Sequence, residues 1–278
     1  MRPWRLLDTG FADGAYHMAL DAAMARGGWT HVPSLRFFRW RPYCISLGYH
    51  QAADEVDLAR CRAAGYEVAR RPTAGRAILH AEELTYSVVI PAGHPWYDIL
   101  PLDLYRRISE ALVAGLAVLG VAARFAPGER LHQDGRPLRM SCFASAARNE
   151  VIVAGRKIVG SAQRRFREGV LQHGSLILQD GHEQLPAFLK GETATVAAER
   201  QRLLEHTITL AAAAGRVITF AEAAQAVRRG FAEALDIELA EGAVQPEEQA
   251  LAEAWRERYS ILTIKSLEEK SCESLALS

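Results

Sequence analysis

Asn149-Glu-Val-Ile-Val-Ala-Gly-Arg-Lys-Ile-Val-Gly-Ser-Ala-Gln-Arg-Arg165 and, a few residues on, Leu171-Gln-His-Gly-Ser175 are rich in β-branched residues and are punctuated by turn formers. Ala154-Gly155-Arg156 and Arg167-Glu168-Gly169 read as turns, so residues 149–179 carry two or three strands joined as hairpins. Upstream, strand signals recur at 35–40, 44–49, 66–71, 77–80 and 84–91, with Arg41-Pro42 and the loop 72–76 between them. Helical signals lie among them: 13–26 before Gly27-Gly28, 54–64 before Gly65, and 104–119 before Gly120. The order is not a regular alternation of strand and helix. It predicts an α+β domain built on a mixed, mainly antiparallel β-sheet with flanking helices, and no Rossmann-type glycine turn is present.

Beyond about residue 183 the chain turns rich in Ala and Glu, and 196–214, 219–235 and 246–258 read as helices, Thr219 capping the second ahead of Glu222. The expected division is a catalytic domain over 1–215, a small helical accessory element over 216–259, and a loosely ordered tail over 260–278. No internal repeat or low-complexity linker interrupts the chain.

Composition narrows the function. Lys+Arg and Asp+Glu both number 33 in 278 residues, so no global field recruits nucleic acid or an anionic membrane. There is no signal-like N-terminus and no run of 18 apolar residues. The four cysteines, Cys44, Cys61, Cys142 and Cys272, include no Cys-x-x-Cys pair, which argues against a disulfide framework or a cysteine zinc site. The simplest expectation is a reduced, cytoplasmic protein that uses no metal and no cofactor.

Cys142 stands fifteen residues before Lys157, in an irregular segment after Arg136-Pro-Leu-Arg-Met-Ser141 and before small residues. That is a loop context, unlike the apolar strand around Cys44 or the helix around Cys61, which both read as core. A thiol is a useful nucleophile only as thiolate, and a neighbouring ammonium favours that form. Lys157 follows a turn and opens a strand. It is either a solvated charge at a hairpin end or a cation folded back over the thiol, where it would also stabilise an oxyanion. The loop Arg70-Arg-Pro-Thr-Ala-Gly-Arg76 is either a basic surface turn or an anion cradle of backbone N–H groups and guanidinium forks. His80 and His173 lie on strands among apolar neighbours, the setting of a hydrogen-bonded structural histidine more often than of a general base.

Four segments in order resemble the lipoate-protein ligase and octanoyltransferase family. They are Ile45-Ser-Leu-Gly-Tyr-His-Gln51, the stretch from Arg70 to His80, Glu83-Leu-Thr-Tyr-Ser87, and the 142–175 block; the resemblance spans roughly residues 3 to 215. It implies a biotin/lipoate ligase-like catalytic domain. The ATP-dependent ligases of the family resemble one another in an Arg-Arg-x-Ser-Gly-Gly-Gly turn, whereas here Ala74 and Arg76 replace glycines and crowd the approach of a phosphate. Cys142-Phe143, Ser161-Ala-Gln163 and Gln172-His-Gly-Ser175 match the cysteine-dependent octanoyltransferase branch.

The resemblance implies Cys142 as acyl-carrying nucleophile and Lys157 as its cationic partner. Arg70, Arg71, Thr73, Gly75, Arg76, His80, Ser161, Gln163 and His173 would contact substrate. Val153, Ile158 and Leu79 are expected to wall an acyl channel. The implied donor is octanoyl-acyl carrier protein, and the implied acceptor a lysine of a lipoyl-domain protein such as the glycine-cleavage H protein. Departures from the branch are Ala74, Ala81, the Ala144-Ser-Ala-Ala-Arg148 string after Cys142-Phe143, and the sequence beyond Tyr259. An ATP-dependent lipoate or octanoate ligase, a lipoyl amidotransferase and an inactive carrier-binding homologue are the alternatives.

Overall fold

A computed structural model describes residues 3–127, 149–190 and 193–263. Twelve strands and seven α-helices are described, in the chain order β1 (Trp4–Ala12), α1 (Gly14–Arg26), β2 (Ser34–Trp40), β3 (Cys44–Leu47), α2 (Leu58–Ala63), β4 (Glu67–Arg70), β5 (Ile78–His80) and β6 (Glu83–Pro91). There follow α3 (Pro101–Val118), β7 (Arg124–Ala126), β8 (Glu150–Val153), β9 (Arg156–Arg165), β10 (Gly169–Ile177) and α4 (Thr193–His206). The chain continues through α5 (Leu210–Ala214), α6 (Phe220–Leu235), β11 (Leu239–Glu241), α7 (Pro246–Tyr259) and β12 (Ser260–Leu262).

An eight-stranded sheet runs β11-β1-β2-β6-β10-β9-β8-β7, and a four-stranded sheet runs β12-β4-β3-β5. Pairing is parallel only between β11, β1 and β2 and between β3 and β4, and antiparallel elsewhere. This is the mixed, mainly antiparallel α+β arrangement expected. Helices α3 and α6 cover one apolar face of the large sheet with Leu104, Ile108, Leu112, Val227 and Phe231. Helix α1 packs against α7, the large sheet and the small sheet, and is buried along nearly its whole length. It is buried all round, so small alanines, not a one-sided apolar stripe, dominate its sequence. Asp13 caps it by accepting from the Tyr16 N–H.

Several elements differ from the expectation. Strand β1 went unread because its alternation breaks: the register with β2 shifts between Asp8 and Phe11, where Gly10 takes a left-handed φ of 63°. Strands β7 and β11, of three residues each, are too short to show a period. The expected helix 196–214 is two helices, since Thr209 starts α5 by capping the Ala212 N–H. Residues 260–262, expected to be loose, pair with β4; residues 264–278 lie outside the described residues. The segment 216–259 supplies both β11, at the edge of the large sheet, and α6.

The packing of α6 on α3 depends on two facing glycines. A Cβ at Gly230 would lie 2.1 Å from the Gly115 nitrogen, and one at Gly115 would lie 2.8 Å from the Val227 Cα. Backbone cannot give way as a flexible side chain can. Gly230→Val is therefore expected to destabilise the protein by roughly 3 kcal/mol, the upper end for overpacking, read as a lowered urea midpoint.

Candidate active site

The β8–β9 hairpin places the expected catalytic lysine. Its two-residue turn, Ala154-Gly155, has φ of 48° and 78°, the positive pair that matches strand twist in a tight hairpin. Beyond the turn Lys157 opposes Ile152, yet Val159 opposes Val151, so Ile158 is one extra residue on β9. Opposed residues share a face and strands alternate, so Lys157, Ile152 and Glu150 lie on the same side. The Lys157 Nζ donates to Glu150 Oε1 at 2.7 Å, with both side chains buried. The solvated-charge reading of Lys157 is thereby overturned: it is 3 % exposed. Burial pushes the Glu150 carboxyl above its ordinary range, against the pull of Lys157.

Three residues further along β9, Gly160, Ser161 and Ala162 form one wall of a small, partly open cavity. His173, Gly174 and Ser175 of β10 continue that wall, and Met18, Trp40, Ile78 and His80 close the other side. Close approach of the two strands needs Gly174, whose Cβ would meet the Gly160 carbonyl oxygen at 2.4 Å.

Two buried strings of groups stiffen this cavity. In one, His173 Nδ1 lies 2.8 Å from Asp21 Oδ2 and its Nε2 lies 2.7 Å from Thr73 Oγ1. In the other, His80 Nδ1 lies 2.8 Å from Glu83 Oε1 and its Nε2 lies 2.7 Å from Ser46 Oγ. Each imidazole Nδ1–H donates to its carboxylate, leaving Nε2 to accept from the hydroxyl in the neutral ring. The Trp40 indole stacks on His80 at 4.0 Å and donates to Thr85 Oγ1. Burial would raise the Asp21 carboxyl, but the His173 hydrogen bond and the Arg36 charge hold it below the usual range. Glu83 behaves alike: burial raises it, and His80, Thr85 and Ser175 more than compensate.

The arginine loop is held from within. Arg70 donates to the Gly48, Tyr49 and Gln51 carbonyls, the last at 2.6 Å. Arg71, buried, braces the turn by donating to the Ser46, Ala74 and Arg76 carbonyls, and it also lines the cavity. Arg76 pairs with Glu55 at 3.5 Å. Gly75 has φ of 116°, and a Cβ on Gly48 would lie 1.9 Å from its carbonyl oxygen, so the two loops touch backbone to backbone. Thus all three guanidiniums have internal acceptors. Ser161 Oγ meets the Tyr86 hydroxyl at 2.7 Å, and Gln163 donates to Gln172, which in turn donates to Tyr86. Burial pushes the Tyr86 phenol up to about 12, so it stays protonated.

Of the expected residues, Arg71, His80, Ser161 and His173 border the cavity, and Thr73 joins them through His173. None of the expected channel residues does. Leu79 faces the core of the small sheet because Ile78 and His80, one position either side, take the cavity face. Ile158 and Val153 pack with the core beneath α3 and α6. Cys142 lies outside the described residues. Cys44 and Cys61 keep the core reading, with burial pushing the first thiol well above its ordinary range and the second up to about 11. The sequence reading missed Met18, Trp40, Asp21, Arg36, Glu83 as a partner of His80, and Glu150. Glu83, three residues after His80, was the one with a local signal. Among the described residues no cluster of His, Cys, Asp and Glu is arranged to hold a metal ion, and no helix is long and apolar enough to cross a membrane.

The chain belongs to the lipoyl protein ligase A/B catalytic domain family, which it matches over residues 13–232. Among curated relatives it is similar to the octanoyltransferase LipM of Kyrpidia tusciae, 41% identical over 93% of this chain and 97% of that one. It is also similar to the octanoyltransferase LipM of Symbiobacterium thermophilum, 44% identical over 90% and 94% of the two chains. Among solved structures it resembles the bi-partite lipoate protein ligase of Thermoplasma acidophilum, with a TM-score of 0.76, 26% identity and 93% of each chain covered. A lipoate-protein ligase A bound with ATP superposes with a TM-score of 0.73 at 27% identity, covering 92% of this chain and 95% of that one.

A buried histidine beside the cavity makes the fold sensitive to pH. Arg36 can only donate, so His17 Nδ1, 2.6 Å from its Nη2, must accept; His17 Nε2–H then donates to the Arg39 carbonyl. Burial and the Arg36 charge hold His17 well below the usual imidazole range. The unfolded chain therefore binds a proton at about pH 6.5 that the folded chain refuses, and stability falls as pH drops below that value. His17 alone contributes a slope of up to about 1.4 kcal/mol per pH unit. Urea unfolding at pH 7, 6 and 5 is expected to show this loss, with a shallower slope in His17→Gln.

Proposed function

We propose that this protein is an acyltransferase of protein lipoylation. It moves an octanoyl group from octanoyl-acyl carrier protein, through a thioester on Cys142, to a lysine of a lipoyl-domain protein such as the glycine-cleavage H protein. The observation that carries the reading is the likeness to octanoyltransferases along more than nine-tenths of the chain. It is supported by Lys157, buried and ion-paired on the strand that goes on to wall a cavity.

In this reading the Cys142 thiolate attacks the donor thioester and the carrier thiol leaves, an exchange of one thioester for another that is close to isoenergetic. The acceptor amine then attacks the acyl-enzyme, the C–S bond breaks with its electron pair on the Cys142 sulfur, that sulfur takes up the proton the amine gives up, and an amide forms downhill. No nucleotide enters. Lys157 favours the thiolate and stabilises the tetrahedral oxyanion. The acyl chain occupies the cavity between β9, β10, Trp40 and Ile78. Each buried CH₂ contributes about 0.8 kcal/mol, which gives a stiff-walled cavity its leverage over chain length. Arg71, His80, Ser161 and His173 border the chain. Thr73, Gly75 and Gln163 shape that border, while Arg70 and Arg76 hold the loops at its mouth and meet the donor.

A second reading has one observation in its favour: the likeness to a lipoate-protein ligase bound with ATP. Against it stands the turn Thr73-Ala74-Gly75-Arg76, where side chains replace two glycines and Arg71 already takes the Ala74 and Arg76 carbonyls. Activity with octanoyl-carrier protein in the absence of ATP supports the transferase; activity only with free octanoate and ATP supports the ligase.

Intact mass after incubation with octanoyl-carrier protein is expected to rise by one octanoyl group, removable by hydroxylamine and mapped to Cys142. Cys142→Ser is expected to abolish transfer to the acceptor while leaving the melting curve unchanged; undiminished octanoylation by that variant would defeat the assignment. Lys157→Ala is expected to slow transfer by ~10²-fold or more and to raise the pH at which Cys142 alkylates.

A further inference from the structure

Glu150 is placed where no packing argument accounts for it. It is a buried carboxylate at the start of β8, and its Oε1 accepts from the Lys157 ammonium. The other oxygen, Oε2, is buried and has no hydrogen-bond partner among the described residues. Two other buried carboxylates are held by several donors: Asp21 takes Arg36 on one oxygen and His173 on the other, and Glu83 accepts from His80, Thr85 and Ser175. A carboxylate held for structure alone would be expected to be satisfied in the same way.

Resting on the transferase reading above, we propose that Glu150 is a positioning residue for the transfer reaction, fixing the Lys157 ammonium in place inside the protein. A buried ammonium on a flexible four-carbon stem keeps one position only when a fixed partner holds it. The carboxylate 2.7 Å away is such a partner. The bulge at Ile158 serves the same end, since it turns Lys157 to the side on which Glu150 lies. Other titratable groups lie on the neighbouring elements. Tyr86, from β6, stays a neutral phenol. Arg124, from β7, is exposed and stands opposite Ile152. His182 is directed to Thr207, which bridges to the Lys157 backbone. Lys157 is thus held by Glu150 at 2.7 Å, and one consequence reaches the nucleophile. Without Glu150 the ammonium is no longer fixed in that place, and Cys142 loses a well-placed cation that favours its thiolate.

The test compares Glu150→Gln and Glu150→Asp with the wild type in three readouts: the pH midpoint of alkylation mapped by mass spectrometry to Cys142, kcat and KM for octanoyl transfer, and the melting curve. Glu150→Gln is expected to raise the alkylation midpoint by about one unit and to lower kcat by ~10²-fold, with KM little changed. Glu150→Asp, which keeps the charge but withdraws it by one methylene, is expected to hold the midpoint near the wild-type value while kcat still falls. A folded Glu150→Gln with wild-type midpoint and kcat would overturn the proposal. Should that variant not fold, Glu150→Asp decides, and a wild-type kcat there would overturn it as well. A wild-type protein that acquires no octanoyl group on Cys142 would instead defeat the transferase reading itself, a result visible before any variant is made.

Discussion

Arg36 is fully buried on β2, and a guanidinium in that position has to be answered by fixed acceptors or the fold does not form. Asp21 of α1 answers it at 2.8 Å, Thr9 of β1 accepts from its Nε, and His17 of α1 accepts from its Nη2. Three elements are thereby locked in one register, because removing one partner of such a pair strands the other charge and typically costs about 3–5 kcal/mol. The lock reaches further. The second oxygen of Asp21 takes His173 on β10, and His173 takes Thr73 in the loop that follows β4. A single buried cation on the sheet thus fixes the helix, the sheet and the turn beside the cavity relative to one another.

A matching string from Glu83 through His80 to Ser46 holds the opposite side, with Trp40 laid flat on the imidazole. Buried polar networks of this kind, fully satisfied, are stiff. The cavity lies between two of them, where the large and small sheets approach each other, and its walls have little freedom to adjust. The Lys157–Glu150 pair differs: its second carboxylate oxygen is buried without a hydrogen-bond partner among the described residues.

Much of this was legible along the chain. The hairpin from β8 to β10 could be read because Ala154-Gly155 and the β-branched runs around it agree locally. Helix α1, the Thr219 cap and the mixed order of strands were legible for the same reason, and the motif segments around Arg70, Glu83 and the 142–175 block resembled one family. What escaped was of two kinds. Strands β1, β7 and β11 exist through pairing, and two of them are shorter than any period that could announce them. The partners of the site, Asp21 to His173 across 152 positions and Arg36 to His17 across 19, have no spacing to give them away.

The three arginines of the loop show the limit most plainly. Composition and motif place cations there, but whether a guanidinium faces a ligand or its own protein depends on which acceptors the folded loops bring within reach: carbonyls for Arg70 and Arg71, the Glu55 carboxylate for Arg76. Leu79 and Ile78 show it again, since one step of strand alternation decides which of two neighbouring apolar residues sees the cavity. The sequence by itself determined the class of fold, the family and the residue types available for acyl transfer, because these rest on local pattern and on the order of segments. The tertiary structure alone decided that Lys157 is buried, that Glu150 faces it, and which side chains wall the cavity, because burial and the pairing of distant charges belong to the packed chain and not to any stretch of it.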